Sequence, residues 1–123
     1  MNAPIMIKPL SILKYLQTRM TAADKHGAFW HRSKLHFFLT NYLFLNMVNK
    51  NEINFVKIFD NIPRRIGARS TIFEVLQEGT ECGFFIKEKT IKDKRKRIYS
   101  LSSDFFDYIK EGYEELSESE KIL

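Results

Sequence analysis

The chain has 123 residues, 44% of them hydrophobic, a single cysteine and a formal charge of +5. That length fits one domain able to bury a core, and the lone Cys82 excludes an intramolecular disulfide and suits a reducing cytoplasmic setting. No apolar run approaches the roughly 20 residues that span a bilayer, so no membrane partner is expected, and the N-terminal stretch lacks the uninterrupted apolar core and small-residue cleavage site of a signal peptide.

Residues 1–7 read as a loose arm. Pro9 suits a first helical turn. Leu10, Leu13, Leu16 and Met20 recur at helical spacing, which predicts a helix over 9–25 ended by Gly27. A second helix is predicted over 31–49, with Leu35, Phe38, Leu39, Tyr42 and Leu43 on one face. Phe37, Phe44 and Val48 make its other side apolar too. A helix apolar on most sides is buried on most sides. In so short a chain a second subunit is a natural cover, with Phe37 and Phe44 as contacts.

The polar break NKNE comes next, over residues 49–52. A short helix follows over 54–61, with Phe55, Ile58, Phe59 and Ile62 as its apolar positions. Pro63 and Gly67 bracket a turn holding Arg64 and Arg65. Another helix starts near Ala68. Arg69, Ser70 and Thr71 fill its first turn, and Ile72, Val75 and Leu76 face inward. Gly79 weakens its last turn and Gly83 stops it.

Residues 84–101 read as two strands around a basic turn. They carry Lys87, Lys89, Lys92, Lys94, Arg95, Lys96 and Arg97 against Glu88 and Asp93 only. A hairpin so charged repels itself, and a polyanion relieves the repulsion. Ser102 or Ser103 caps a final helix, with Asp104 and Asp107 near its positive end. Residues 102–123 reverse the charge, with seven acidic and two basic side chains. Such segregation fits one face made for an anion and another kept away from it.

Helix, then basic hairpin, is the order of a winged helix-turn-helix. Over residues 70–102 the chain resembles the MarR family of bacterial winged-helix regulators. STIFEVLQEGTECGFF matches that family's recognition-helix pattern, with Ser70, Thr71, Ile72 and Gly83 in register. DKRKRIYSLS, residues 93–102, matches its wing pattern of Asp-x-Arg, alternating apolar positions and a closing Leu-Ser. The resemblance implies that Asp93 shapes the wing and Arg95 enters a minor groove. It places Ser70 and Thr71 at the groove-facing start of the recognition helix, and it permits a small-molecule effector. The turn IPRRIGAR is longer than the family norm. Gly79 stands where a core Leu is usual, and Phe73 and Glu74 where polar or basic residues are frequent.

The expected fold is α+β: a mostly helical winged helix-turn-helix domain with a two-stranded wing and flanking dimerisation helices. One domain covers 1–123, with a helical dimerisation part over 1–50, the helix-turn-helix and wing over 51–102, and a C-terminal helix over 103–123. The expected partner is double-stranded DNA, bound by a cytoplasmic homodimer. Arg69, Ser70, Thr71 and Gln77 are the candidates on the recognition helix over 68–80. Arg64 and Arg65 suit phosphate. Lys92, Lys94, Arg95, Lys96 and Arg97 are the wing candidates within the basic stretch 87–97.

Other chemistry is thinly supported. His26, His31 and His36 are spaced by five, so no two share a helical face, and no metal site or cofactor is expected. Trp30, His36 and Phe37 read as core packing, with a small-molecule pocket as the sharper alternative. Cys82, beside Glu81, reads as an inert packing residue. Phosphate-binding glycine loops, HExxH and nucleophile elbows are absent, so no enzyme is expected. The competing function is a protein-interaction or assembly module that uses the aromatic and acidic helices.

Overall fold

The computed structural model describes residues 13–17, 24–90 and 96–122, with helix side chains as far as Leu116. Residues 13–17 form helix α1. Of the expected apolar stripe, Leu13 is exposed, whereas Tyr15 is buried with its ring edge-on to Trp30 at 6.1 Å. Leu10 and Met20 lie outside the described residues.

Helix α2, Lys25–Trp30, runs through Gly27 rather than stopping there. The reason is a cap that spacing alone did not reveal. The Asp24 carboxylate accepts the Gly27 N–H at 3.1 Å and so starts a new helix. Helix α3, Lys34–Val48, begins the same way, the Ser33 hydroxyl accepting the His36 N–H at 3.1 Å. It ends in a Schellman motif: Lys50 N–H donates to Met47 O at 3.1 Å and Asn51 N–H to Asn46 O at 2.8 Å. The left-handed residue this motif needs is Lys50, at φ 59.

Strand β1 is the two-residue Ile53–Asn54. Helix α4, Phe55–Asn61, follows at once, capped by the Asn54 side chain, which accepts the Lys57 N–H at 2.9 Å. After the Pro63–Gly67 turn comes helix α5, Arg69–Glu81. It ends in a second Schellman motif, with Gly83 N–H donating to Thr80 O at 3.2 Å and Phe84 N–H to Gly79 O at 2.8 Å. Here the left-handed residue is Gly83, at φ 82, as the sequence predicted. Strands β2, Phe85–Lys89, and β3, Arg97–Leu101, form the hairpin, and helix α6 spans Ser103–Ile122.

The sheet is antiparallel in the order β1-β3-β2. The expected hairpin is present, but a third strand joins it: Ile53 pairs with Tyr99 and Asn54 with Ile98. Phe85 opposite Leu101 anchors the hairpin base. Both are buried, together with Phe29, Leu39, Ile72, Leu76 and Phe105. Phe29 stacks on Phe84 at 4.7 Å, tying α2 to the end of α5. The helix pair α4–α5 with the β2–β3 hairpin is a winged helix-turn-helix, packed against α2, α3 and α6.

Candidate nucleic-acid interface

Strand register sorts the charge of the wing. Residues paired across a ladder share a face, and alternate residues along a strand return to it. Phe85, Lys87 and Lys89 therefore lie on one face of the hairpin with their partners Leu101, Tyr99 and Arg97. The base of that face is core. Further out it is cationic, and Lys89 stands directly opposite Arg97. Glu88 falls on the other face, opposite Ile98. Lys87 lies over the Tyr99 ring, 5.9 Å from its centroid. Lys87 and Lys96 are exposed and Arg97 is half-buried. Lys92, Lys94 and Arg95, and with them Asp93, lie outside the described residues.

The cationic face borders the helix-turn-helix. Lys87, Lys96, Arg97 and Tyr99 line an open groove of about 440 Å³ together with Phe55, Val56 and Phe73. Lys87 was part of the sequence-level charge count but not a named candidate. Its parity with Phe85 along the strand is the signal that would have placed it.

On α5, Ile72, Val75, Leu76 and Gly79 are buried, and Arg69, Ser70, Thr71, Phe73, Glu74 and Gln77 are exposed. Ser70, Glu74 and Gln77 occupy the side opposite the buried stripe. Gln77 Nε2 donates to Glu81 Oε1 at 3.3 Å. The N-cap is Ala68, which offers no side-chain acceptor, whereas α2, α3 and α4 each have one. Arg69 does not project freely. Its guanidinium lies 4.8 Å from the Phe59 centroid and 5.5 Å from that of Phe55. Arg64 and Arg65 are exposed in the turn. Arg64 and Arg69 both line a second groove, of about 530 Å³, beside Phe59 and Gly67. Structure thus gathers the turn, the start of α5 and the wing strands around one aromatic cluster.

Glu78 behaves differently from Glu74. Its Oε2 lies 2.6 Å from Arg32 Nη1, and its Oε1 lies 3.1 Å from His36 Nε2. Burial works against the charge on Glu78. Hydrogen bonds from His36 and Arg32, and the charge of Arg32, outweigh it and hold the carboxyl below its ordinary value. Ser33 Oγ and His36 Nδ1 are 2.6 Å apart. With the Ser33 hydroxyl donating to Nδ1 and Nε2–H donating to Glu78, every member of the chain is satisfied. Glu78 is thus a brace between α5 and α3 rather than a free surface acid.

His36 is buried against the Phe29 ring at 5.0 Å and Trp30 is nearly inaccessible, so both are packing residues. Phe37 is 43% exposed. Cys82 is exposed at the C-cap of α5, not packed as expected, because the helix ends there and Gly83 turns the chain away. Among the described residues, no group of three or more His, Cys, Asp or Glu could hold a metal ion, and no helix is long and apolar enough to cross a membrane.

No protein-family model matches this sequence, and no curated protein does. Comparison with solved structures finds one that shares the fold, with two weaker likenesses beside it. NadR in complex with 4-hydroxyphenylacetate aligns with a TM-score of 0.56 at 13% identity, covering 96% of this chain and 79% of that one. A mutant of Lactococcus lactis ZitR gives 0.48 at 13% identity, covering 89% and 75%. Bordetella bronchiseptica BpsR, whose DNA binding is regulated by 6-hydroxynicotinic acid, gives 0.45 at 10% identity, covering 90% and 74%. At these identities the likeness to NadR speaks for the fold alone.

Proposed function

We propose that this chain is a MarR-like, sequence-specific DNA-binding regulator. It acts as a cytoplasmic homodimer, without catalysis, cofactor or metal. Recognition helix α5 enters the major groove and the wing follows the minor groove or the backbone. The observation that carries this reading is the sorting of the hairpin: Lys87, Lys89 and Arg97 share the face that borders α4 and α5, and Glu88 is on the reverse. Cations gathered on one face of a hairpin are favoured beside a polyanion. The uncapped first turn of α5 fits the same reading, because free N–H groups there suit a phosphate. Arg64 and Arg65 then touch the backbone, and Ser70, Thr71 and Gln77 reach base edges or phosphates.

The decisive measurement is binding of the folded protein to random duplex DNA over a salt series. With on the order of six to ten phosphates contacted per dimer, affinity falls ~10³–10⁵-fold between ~50 and ~200 mM salt. Absence of duplex binding at the low-salt end would rule the reading out. It would favour the alternative of a protein-interaction or assembly module working through the aromatic and acidic helices. The organic acid bound by NadR motivates one companion assay, whether small organic acids shift DNA affinity here.

A further inference from the structure

The groove between α4, α5 and the wing is lined by both apolar and cationic side chains. Phe55, Val56 and Phe73 line it together with Lys87, Lys96 and Arg97. Phe73 is 47% exposed although it is one of the largest apolar side chains on the surface. Its ring is held edge-on to Phe55 at 6.1 Å. It is flanked on α5 by Ser70 one turn before and Gln77 one turn after. Cations around the groove recruit a polyanion, but a phosphate gains nothing from a phenyl ring. The ring needs an apolar group carried by that polyanion. On the major-groove edges of DNA that group is the 5-methyl of thymine.

We propose that Phe73 is a base reader that packs against thymine 5-methyl groups, so that preferred sites carry thymine where Phe73 faces them. This rests on the DNA-binding reading and adds a source of sequence preference to it. The aromatic support from Phe55 fixes the ring before contact, and a side chain already ordered loses little freedom on binding.

The test uses duplexes that the wild-type protein selects from a random pool. Each thymine is then replaced singly by deoxyuridine, which removes the methyl and keeps the pairing groups. At one position per half-site, wild-type affinity is expected to fall about fourfold, the effect of burying one carbon. Phe73→Ala is expected to bind the thymine and uracil duplexes alike, and Phe73→Leu to keep part of the difference. Melting curves establish that both variants are folded. The wild-type contrast between thymine and uracil holds whatever the variants do. Equal loss by wild type and Phe73→Ala, or no methyl-dependent position, overturns the assignment while duplex binding itself upholds the regulator reading. No duplex binding by folded wild type overturns both. Displacement of DNA by benzoate from wild type but not from Phe73→Ala, without methyl dependence, would give the groove to a small aromatic anion and overturn the proposal.

Discussion

Phe85 fills the space that a side chain at residue 79 would need. A Cβ on Gly79 would stand 2.2 Å from Phe85 Cδ2 and 2.6 Å from its Cε2, distances that only a shift of the ring could relieve. The last turn of α5 therefore rests its backbone directly on the first residue of β2. Gly79→Ala gains up to ~1 kcal/mol in helix propensity and loses about 1–3 kcal/mol to overpacking. The expected net effect is a lower melting temperature. In a Phe85→Leu background the cost of Gly79→Ala shrinks. Equal costs in both backgrounds would show that the ring is not the obstacle.

The two Schellman motifs differ in one residue, and that difference is measurable. Gly83 and Lys50 both sit in the left-handed region, at φ 82 and φ 59, but only the lysine carries a Cβ there. A side chain in that region costs roughly 1–2 kcal/mol, offset in part by the greater freedom glycine loses on folding. Lys50→Gly is expected to raise the melting temperature and Gly83→Ala to lower it, by roughly 2–8 °C. A stabilised Gly83→Ala protein would contradict the assigned geometry.

These contacts also mark what the sequence could and could not reveal. Helices α4 and α5 and the hairpin were legible because their boundaries are local: Pro63, Gly67 and Gly83 punctuate them, and Ile72, Val75 and Leu76 set the period. Strand β1 was not. Two residues after a polar break carry no period, and Ile53–Asn54 is a strand only because Tyr99 and Ile98 lie beside it. Gly27 was misread because a glycine suits a helix end and Asp24 suits a helix start, and spacing does not say which governs. At the candidate interface, residue types were legible and partners were not. Arg69 was visible as a cation, but its stack on Phe55 and Phe59 joins residues from either side of a turn. The partners of Glu78 were beyond sequence reach because Arg32 and His36 are more than forty positions away.

The Glu78 brace has a pH signature of definite sign. Its carboxyl is held below the ordinary 4.5 in the folded protein. The unfolded chain therefore binds the proton first, and stability from this site is present above that value and lost as pH falls through the folded value. Glu78→Gln is expected to destabilise the protein at neutral pH, with the difference from wild type closing in acid. Arg32 is half exposed, so an Arg32→Ala, Glu78→Ala cycle should give coupling of about 0.2–1 kcal/mol. A pH-independent difference would mean that Glu78 acts through packing alone.

Association through α3 is the outcome expected from three exposed apolar residues on one side of the helix. Phe37, Leu45 and Val48 are 43%, 57% and 54% exposed, and their spacing of eight and three keeps them within one face. Phe44 is half covered within its own chain, by the rings of Phe106 at 4.9 Å and Tyr113 at 5.6 Å, which leaves Phe37 as the stronger contact of the two first suspected. Leu45→Glu and Val48→Glu are expected to shift sedimentation from dimer to monomer with little change in monomer melting. A wild-type monomer at high micromolar concentration would contradict the homodimer, and with it recognition of paired half-sites.

The last prediction separates charge from recognition. Lys87 and Lys96 both line the groove beside α4 and α5, so Lys87→Ala and Lys96→Ala should each lower the slope of log affinity against log salt by roughly one. The same is expected of Lys94→Ala. Arg95→Ala should weaken binding to every sequence, with an added loss on A·T-rich flanks whose narrow minor grooves attract arginine. Arg69 differs because its guanidinium is already stacked, which orients the fork that a guanine edge would accept. Arg69→Ala should cost roughly 1–3 kcal/mol more on a selected site than on random DNA. Arg69→Lys keeps the charge but loses the planar fork, so it should match wild type on random DNA and fail on the selected site. Binding of each variant to both duplexes across a salt series, with melting curves alongside, reads all of these at once. If Arg69→Lys is wild-type on both duplexes, residue 69 contributes only its charge. If the wing variants keep the full salt slope, the basic hairpin is a solvated surface and the DNA-binding reading loses its main support.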